Sequence, residues 1–130
     1  MAVKKKKIVK KPEKIIIDGF LFCRKELDVK ALSEALEDAK VTCECWPEMG
    51  VIEIPLLEAG SIDLERSEIT FEGEDQIFLE NHDIKGVYEI SFPKNALSQA
   101  GAAFRALVDA TSGVICSDTE DFYPVYAGNF

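Results

Sequence analysis

The sequence predicts an α+β fold: a two-layer sandwich with two helices on one face of a mostly antiparallel sheet. Two stretches, residues 28–39 and 95–111, place apolar side chains at every third or fourth position, which is the spacing of an amphipathic helix. The other apolar segments mostly alternate with polar residues, as strands with one solvated face do. Strands therefore precede, separate and follow the two helices, and one layered sheet accommodates that order.

The first 14 residues differ in composition from the rest of the 130-residue chain. They hold seven lysines and one glutamate, a net charge of +6, so the total of −9 leaves −15 on residues 15–130. Clustered like charges repel each other and offer no apolar face to a core. We therefore expect residues 1–14 to be a basic, flexible N-terminal arm. Residues 15–130 should form a single α+β domain, since a chain of that length can bury a core.

The domain is expected to open with an apolar strand, Ile15 to Cys23, and to continue with the first helix. Asp28 is the expected N-cap of this helix, because its carboxylate can accept a backbone N–H that the first turn leaves free. The apolar stripe that should face the core consists of Val29, Leu32, Leu36 and Ala39.

The middle of the chain is expected to form several strands joined by turns. Apolar and polar side chains alternate in segments 41–45, 52–56, 62–65 and 87–92, whereas segments 73–75 and 81–83 have the composition of loops. In this register four carboxylates point away from the helices, where they form either a solvated surface or an acidic binding surface. They are Glu53, Asp63, Glu65 and Glu89.

The second helix is expected over residues 95–111, with Asn95 as its N-cap and Gly113 just past its end in a conformation of positive φ. Gly101 is interpreted as allowing the helix to approach the sheet closely, since a glycine inside a helix otherwise costs stability. Its buried stripe should include Leu97, Phe104, Leu107 and Val108.

A short buried strand at 114–116 and an edge strand near 122–126 should complete the sheet. The whole order is strand, helix, several strands, helix, strand. It predicts a ferredoxin-like arrangement with extra strands, in which both helices cover the same face of the sheet.

The sequence favours a cytoplasmic protein without a metal or a cofactor. No apolar run reaches the roughly 18 residues of a membrane span, and the apolar run after the arm, interrupted by Asp18, makes a poor signal peptide. Cys43 and Cys45 are separated by one residue, whereas paired zinc ligands usually have two to four residues between them. We expect all four cysteines to be reduced structural thiols, and His82 to lie in a surface loop.

Acidic and aromatic residues cluster after the last predicted strand and form the candidate binding site. Exposed carboxylates attract cationic partners, and aromatic side chains beside them are common at protein interfaces. An EF-hand calcium loop does not fit this segment, because the central glycine and the glutamate at the twelfth position are missing. The candidate residues are Asp118, Glu120, Asp121, Phe122 and Tyr123.

A domain this acidic predicts a protein partner with a basic surface rather than nucleic acid, whose phosphates it would repel. The leading hypothesis is therefore a small cytosolic, non-enzymatic binding module. One alternative is an enzyme or small-molecule binder with a pocket between sheet and helices, which His82, Cys43 or Cys45 and the acidic cluster would form if they converged. Another is a structural subunit that self-associates through its free sheet face.

Overall fold

A seven-stranded, fully antiparallel sheet organises the fold in the computed structural model, which describes residues 15–130. The strands lie in the order β2-β3-β4-β5-β1-β6-β7. Their bounds are β1 Ile16–Cys23, β2 Glu44–Trp46, β3 Val51–Leu56, β4 Gly60–Arg66, β5 Gly86–Pro93, β6 Val114–Ser117 and β7 Val125–Ala127. The α-helices are α1 Val29–Asp38, α2 Gly73–Asn81 and α3 Gly101–Thr111.

Strand β1 lies inside the sheet and joins its two halves. It pairs with β5 over eight residues, from Ile16 opposite Pro93 to Cys23 opposite Gly86, and on its other side with β6. Residues 20–23 are buried on both faces, because Leu21 and Cys23 face one helical layer while Phe20 and Phe22 face the other side. Burial on both faces explains why this segment is continuously apolar instead of alternating.

Helices α1 and α3 cover one face of the sheet and enclose the main core. Helix α1 begins as predicted, because the carboxylate of Asp28 accepts a hydrogen bond from the backbone N–H of Ala31 at 2.8 Å. Its buried positions include Val29, Leu32 and Leu36, which pack over the strands. Ala39 lies past the helix end and is exposed, so its predicted place in the stripe is wrong.

Helix α2 and six aromatic rings lie on the opposite face, so the two-layer sandwich with two helices is wrong. Residues 15–130 form three α-helices, and α2 packs through Leu79 and Phe78 on the side away from α1 and α3. The rings form a phenylalanine cluster whose neighbouring centroids are 4.9 to 6.4 Å apart. The phenylalanine cluster consists of Phe20, Phe22, Phe71, Phe78, Phe122 and Phe130.

Segment 73–75 begins α2 and is not the predicted loop. Sequence periodicity could not show this helix, because Leu79 is its one buried residue and Ile77 remains 59% exposed. Glu74 and Asp75 lie in its first turn, where negative charge is favourable beside the free backbone N–H groups.

Helix α3 starts six residues later than predicted, at Gly101. Residues Lys94–Ser98 form a separate 3-10 helix, so Asn95 is not an N-cap and Leu97 is 37% exposed rather than buried. A Cβ at Gly101 would meet nothing within 4 Å, so the predicted close approach at this glycine is also wrong.

The close approach is made instead by Gly113, beyond the helix end. The left-handed residue that ends the helix is Ser112, with φ of 51°, and the positive φ predicted for Gly113 is wrong. A Cβ at Gly113 would lie 2.2 Å from the carbonyl oxygen of Phe22, so only glycine fits between α3 and β1.

The predicted flexible arm, residues 1–14, lies outside the described part of the chain. Within residues 15–130 no helix is both long enough and apolar enough to cross a membrane.

Candidate functional site

Half of the sheet face opposite α1 and α3 is open within residues 15–130, and carboxylates are the most frequent side chains on it. Directly paired residues of neighbouring strands share a face. Glu44 pairs with Glu53, Glu53 pairs with Asp63, and Glu65 pairs with Glu89. We call this surface the acidic sheet face; its residues are Asp18, Glu44, Glu53, Asp63, Glu65, Glu89 and Asp118.

The alternation of each strand forces these carboxylates outward. In β3, Ile52 and Ile54 are buried against the helices, so Glu53 between them points to the open side. In β4, Leu64 is buried in the same way between Asp63 and Glu65. The register expected from the sequence for these strands is therefore correct.

Two further carboxylates extend the acidic sheet face across the centre of the sheet. Asp18 of β1 pairs with Ser91 of β5, which itself pairs with Asp63. The backbone N–H of Asp118, just after β6, donates to the carbonyl oxygen of Asp18 at 3.0 Å. Together with Glu65 and Glu89 these residues line an open groove of about 420 Å³.

The carboxylates of this face are not neutralised within the described part of the chain. The ion pair found among residues 15–130 joins Arg66 to Glu26, and neither belongs to the acidic sheet face. Arg66 follows Glu65 in β4 but points to the other side, where its guanidinium lies 5.6 Å from the centre of the Tyr88 ring. Like charges directly opposite each other destabilise a sheet, so the face carries repulsion that a cationic ligand would relieve.

Apolar side chains border the carboxylates. Trp46, the single tryptophan, is 42% exposed and pairs with Val51, which is itself opposite Glu65. At the far end of β1, Ile16 is 50% exposed on the same side as Asp18. Tryptophan is enriched at protein interfaces, so the exposed Trp46 beside these carboxylates marks an edge that a polypeptide could contact.

The candidate residues in segment 118–123 do not form one site, because they lie in three different environments. Asp121 accepts hydrogen bonds from the backbone N–H of Tyr123 at 3.1 Å and from the Thr119 hydroxyl at 3.3 Å, which makes a local turn. Phe122 is 4% exposed inside the phenylalanine cluster, whereas Tyr123 is 57% exposed. Glu120 and Asp121 are exposed on the turn, and Asp118 is the member of this segment that lines the groove.

The cysteines and the histidine do not converge on one site. Cys43 lies on the α1 side with its sulfur 3.6 Å from the Ser33 hydroxyl, whereas the His82 ring lies 4.5 Å from the Phe78 ring on the other side of the sheet. All four cysteines are free thiols, and burial raises the pKa of Cys23 and of Cys116 to about 12. Among residues 15–130 no three His, Cys, Asp or Glu side chains are grouped so that they could hold a metal ion.

Four of the seven members of the acidic sheet face were predicted from the sequence to point to this side, and Asp118 was predicted as part of a separate cluster. Asp18 and Glu44 were not predicted to lie on this face. Each is next to a strand residue that faces the main core: Ile17 beside Asp18 and Cys45 beside Glu44. The strand alternation could have found both, but the Asp18-Gly19 pair resembles a turn and hid the register of β1.

Comparisons with family models, curated proteins and solved structures found no match for this chain.

Proposed function

We propose that this protein is a binding module for a partner with a basic surface and that the acidic sheet face is its binding surface. The observation that carries this proposal is the set of seven carboxylates on one open side of the sheet, with no Lys or Arg ion-paired to them within residues 15–130. A face of this kind repels anionic ligands and attracts cationic ones over a distance set by ionic strength.

The shape of the face favours an extended or helical polypeptide over a small cation. The carboxylates stand on successive strands, which are spaced about 4.8 Å apart, and so they extend over about 19 Å from β2 to β1. A row of this length matches several Lys or Arg side chains of one segment. Trp46 at the β2 edge adds an aromatic surface on which an ammonium or guanidinium group can stack.

The test uses a rhodamine-labelled octalysine peptide, with binding followed by fluorescence anisotropy at low salt. The face variant Glu53→Gln/Asp63→Asn/Glu65→Gln/Glu89→Gln should bind at least about tenfold more weakly than the unchanged chain, because four charge-assisted contacts are lost. Raising the salt from 20 to 300 mM should weaken binding to the unchanged chain by a similar factor, as the charges become screened.

A matched control separates local charge from net charge. The helix-side variant Glu34→Gln/Glu37→Gln/Asp38→Asn/Asp109→Asn removes the same number of exposed carboxylates from α1 and α3, on the opposite side of the sheet. It should bind octalysine within about twofold of the unchanged chain, since only weak long-range attraction is lost. Equal losses in both variants would contradict a specific acidic sheet face.

A single substitution tests how far the site extends into the last acidic segment. Asp118→Asn should weaken octalysine binding, because Asp118 lines the groove, whereas Glu120→Gln on the turn should leave it unchanged. If Glu120→Gln had the larger effect, the binding surface would be the turn and its neighbour Tyr123 rather than the sheet.

A further inference from the structure

We propose that the lysine-rich arm, residues 4–14, binds across the acidic sheet face of its own chain and competes there with the basic partner. This inference rests on the proposed function, because it makes the arm an intramolecular competitor for the same surface. The arm is a suitable ligand for the acidic sheet face because most of its charged side chains are lysines.

The arm joins the sheet at the end of β1 that lies next to the acidic sheet face. The carbonyl oxygen of Ile15 accepts a hydrogen bond from the backbone N–H of Lys94 at 2.8 Å, so the chain is held to the sheet up to that residue. Ile16 then points to the open side, two positions from Asp18. The arm is thus tethered at Ile15, three strand positions or about 10 Å from Asp18, the first carboxylate of the acidic sheet face.

The arm is long enough to cross the acidic sheet face. Crossing from β1 over β5, β4 and β3 to β2 requires four strand spacings, about 19 Å. Ten residues, 4–13, span up to about 33 Å when extended. The arm can therefore reach Trp46 at the β2 edge and still have residues to spare for a change of direction.

The arm and the acidic sheet face carry opposite charges of similar number. The arm carries seven lysines and one glutamate, and the acidic sheet face carries seven carboxylates. A tether this short keeps the arm at an effective concentration of about 1 mM at the face. If the arm binds the face with a Kd of about 0.1 mM, this effective concentration raises the apparent Kd of a competing octalysine peptide about tenfold.

Occupation by the arm sets a minimum affinity that a partner must exceed in order to bind the acidic sheet face. A weakly basic protein would not displace the arm, whereas a segment with more positive charge or a better fit to the Trp46 edge would. The acidic sheet face would then discriminate among basic partners by the difference between their affinity and that of the arm.

The test compares the full-length chain with the arm variant Lys4→Gln/Lys5→Gln/Lys6→Gln/Lys7→Gln, using the same octalysine peptide at 20 mM salt. The arm variant should bind octalysine about tenfold more tightly. The charge-preserving variant with arginine at the same four positions should behave like the unchanged chain. Equal affinity in the glutamine variant and the unchanged chain would overturn the inference.

Trp46 gives a second readout that needs no added peptide. As the single tryptophan, it reports whether the β2 edge is covered, through quenching of its fluorescence by the neutral quencher acrylamide. In the unchanged chain, 0.5 M salt should increase quenching by releasing the arm. In the glutamine arm variant, acrylamide quenching of Trp46 should already be high at low salt and should not increase further when salt is added. Salt-independent quenching in the unchanged chain would also count against arm binding.

The two proposals fail in different ways. If both chains bind octalysine equally and the face variant does not, the acidic sheet face binds basic segments but the arm does not occupy it. If octalysine binding is absent from the unchanged chain, the arm variant and the face variant alike, the proposed function itself is wrong.

Discussion

Two glycines near α3 show that the space around a residue, rather than its type, decides its tolerance to substitution. We expect Gly113→Ala to destabilise the fold strongly, because its Cβ would lie 2.2 Å from the backbone oxygen of Phe22, which cannot move without disturbing β1. Gly101→Ala should instead stabilise it by about 0.5–1 kcal/mol, since this exposed helical position meets nothing within 4 Å. Urea denaturation of both variants checks the pair, and similar effects would contradict the geometry.

The buried thiols predict how stability depends on alkaline pH. Burial raises the pKa of Cys23 and of Cys116 from 9.0 to about 12, so the folded chain keeps protons that the unfolded chain releases. Below pH 9 the protonated thiols contribute fully to the free energy of unfolding. This contribution is lost as the pH rises from about 9 to 12, by up to about 1.4 kcal/mol per pH unit for each thiol. Replacing both by alanine should lower stability overall but flatten its decline between pH 9 and 10, measured by urea denaturation.

An unchanged slope in the double variant would place the pH dependence elsewhere. Tyr88 is the matched comparison, because burial raises its pKa from 10.0 to about 12 and so it contributes only above pH 10.

At the scale of elements, the corrected start of α3 changes which side chains should matter. Phe104 is 4% exposed and its ring lies 5.2 Å from that of Phe92, so Phe104→Ala should cost about 3–5 kcal/mol. Leu97, on the 3-10 helix and 37% exposed, should cost less than about 1 kcal/mol when replaced by alanine. Chemical denaturation of the two variants measures the difference. Equal losses of stability would support the single long helix expected from the sequence.

Elements with a strong pattern were predictable from the sequence, and those defined by contacts were not. Helix α1 shows a cap and a full apolar stripe, and β3, β4 and β5 alternate cleanly, so their register and the outward direction of Glu53, Asp63 and Glu65 followed. Helix α2 was not predicted because Leu79 is its one buried residue, so its sequence shows no helical hydrophobic period. The acidic sheet face itself depends on which strands are neighbours, and alternation within one strand does not contain that information.

Phe122 illustrates the same difference within the candidate site. Sequence composition grouped it with the carboxylates around it, but the residue has φ of 61° and turns its ring into the phenylalanine cluster. A turn that reverses one side chain between exposed neighbours leaves no trace in composition, so its burial could only come from the structure.

At the scale of the whole molecule, protection from solvent should follow position in the sheet. Backbone amides of Phe20, Leu21 and Phe22 should be among the slowest to exchange with deuterium, because β1 has a partner strand on each side and cover on both faces. Amides of the three-residue edge strands β2 and β7 should exchange much faster. Exchange followed by NMR tests this, and fast exchange throughout β1 would contradict its central place.

The position of β1 also has a consequence for how the protein is made. Among the seven described strands β1 is made first, and its partner β6 begins about 90 residues after β1 ends. At about 5–20 residues per second, the Phe-Leu-Phe-Cys segment waits roughly 5–20 seconds before its second neighbour exists. During synthesis it is an unpaired apolar strand, which is the kind of segment that chaperones hold and that aggregates when they do not. A chain released before Val114 would lack the strand that closes the centre of the sheet, so a late stop codon should be as damaging as an early one.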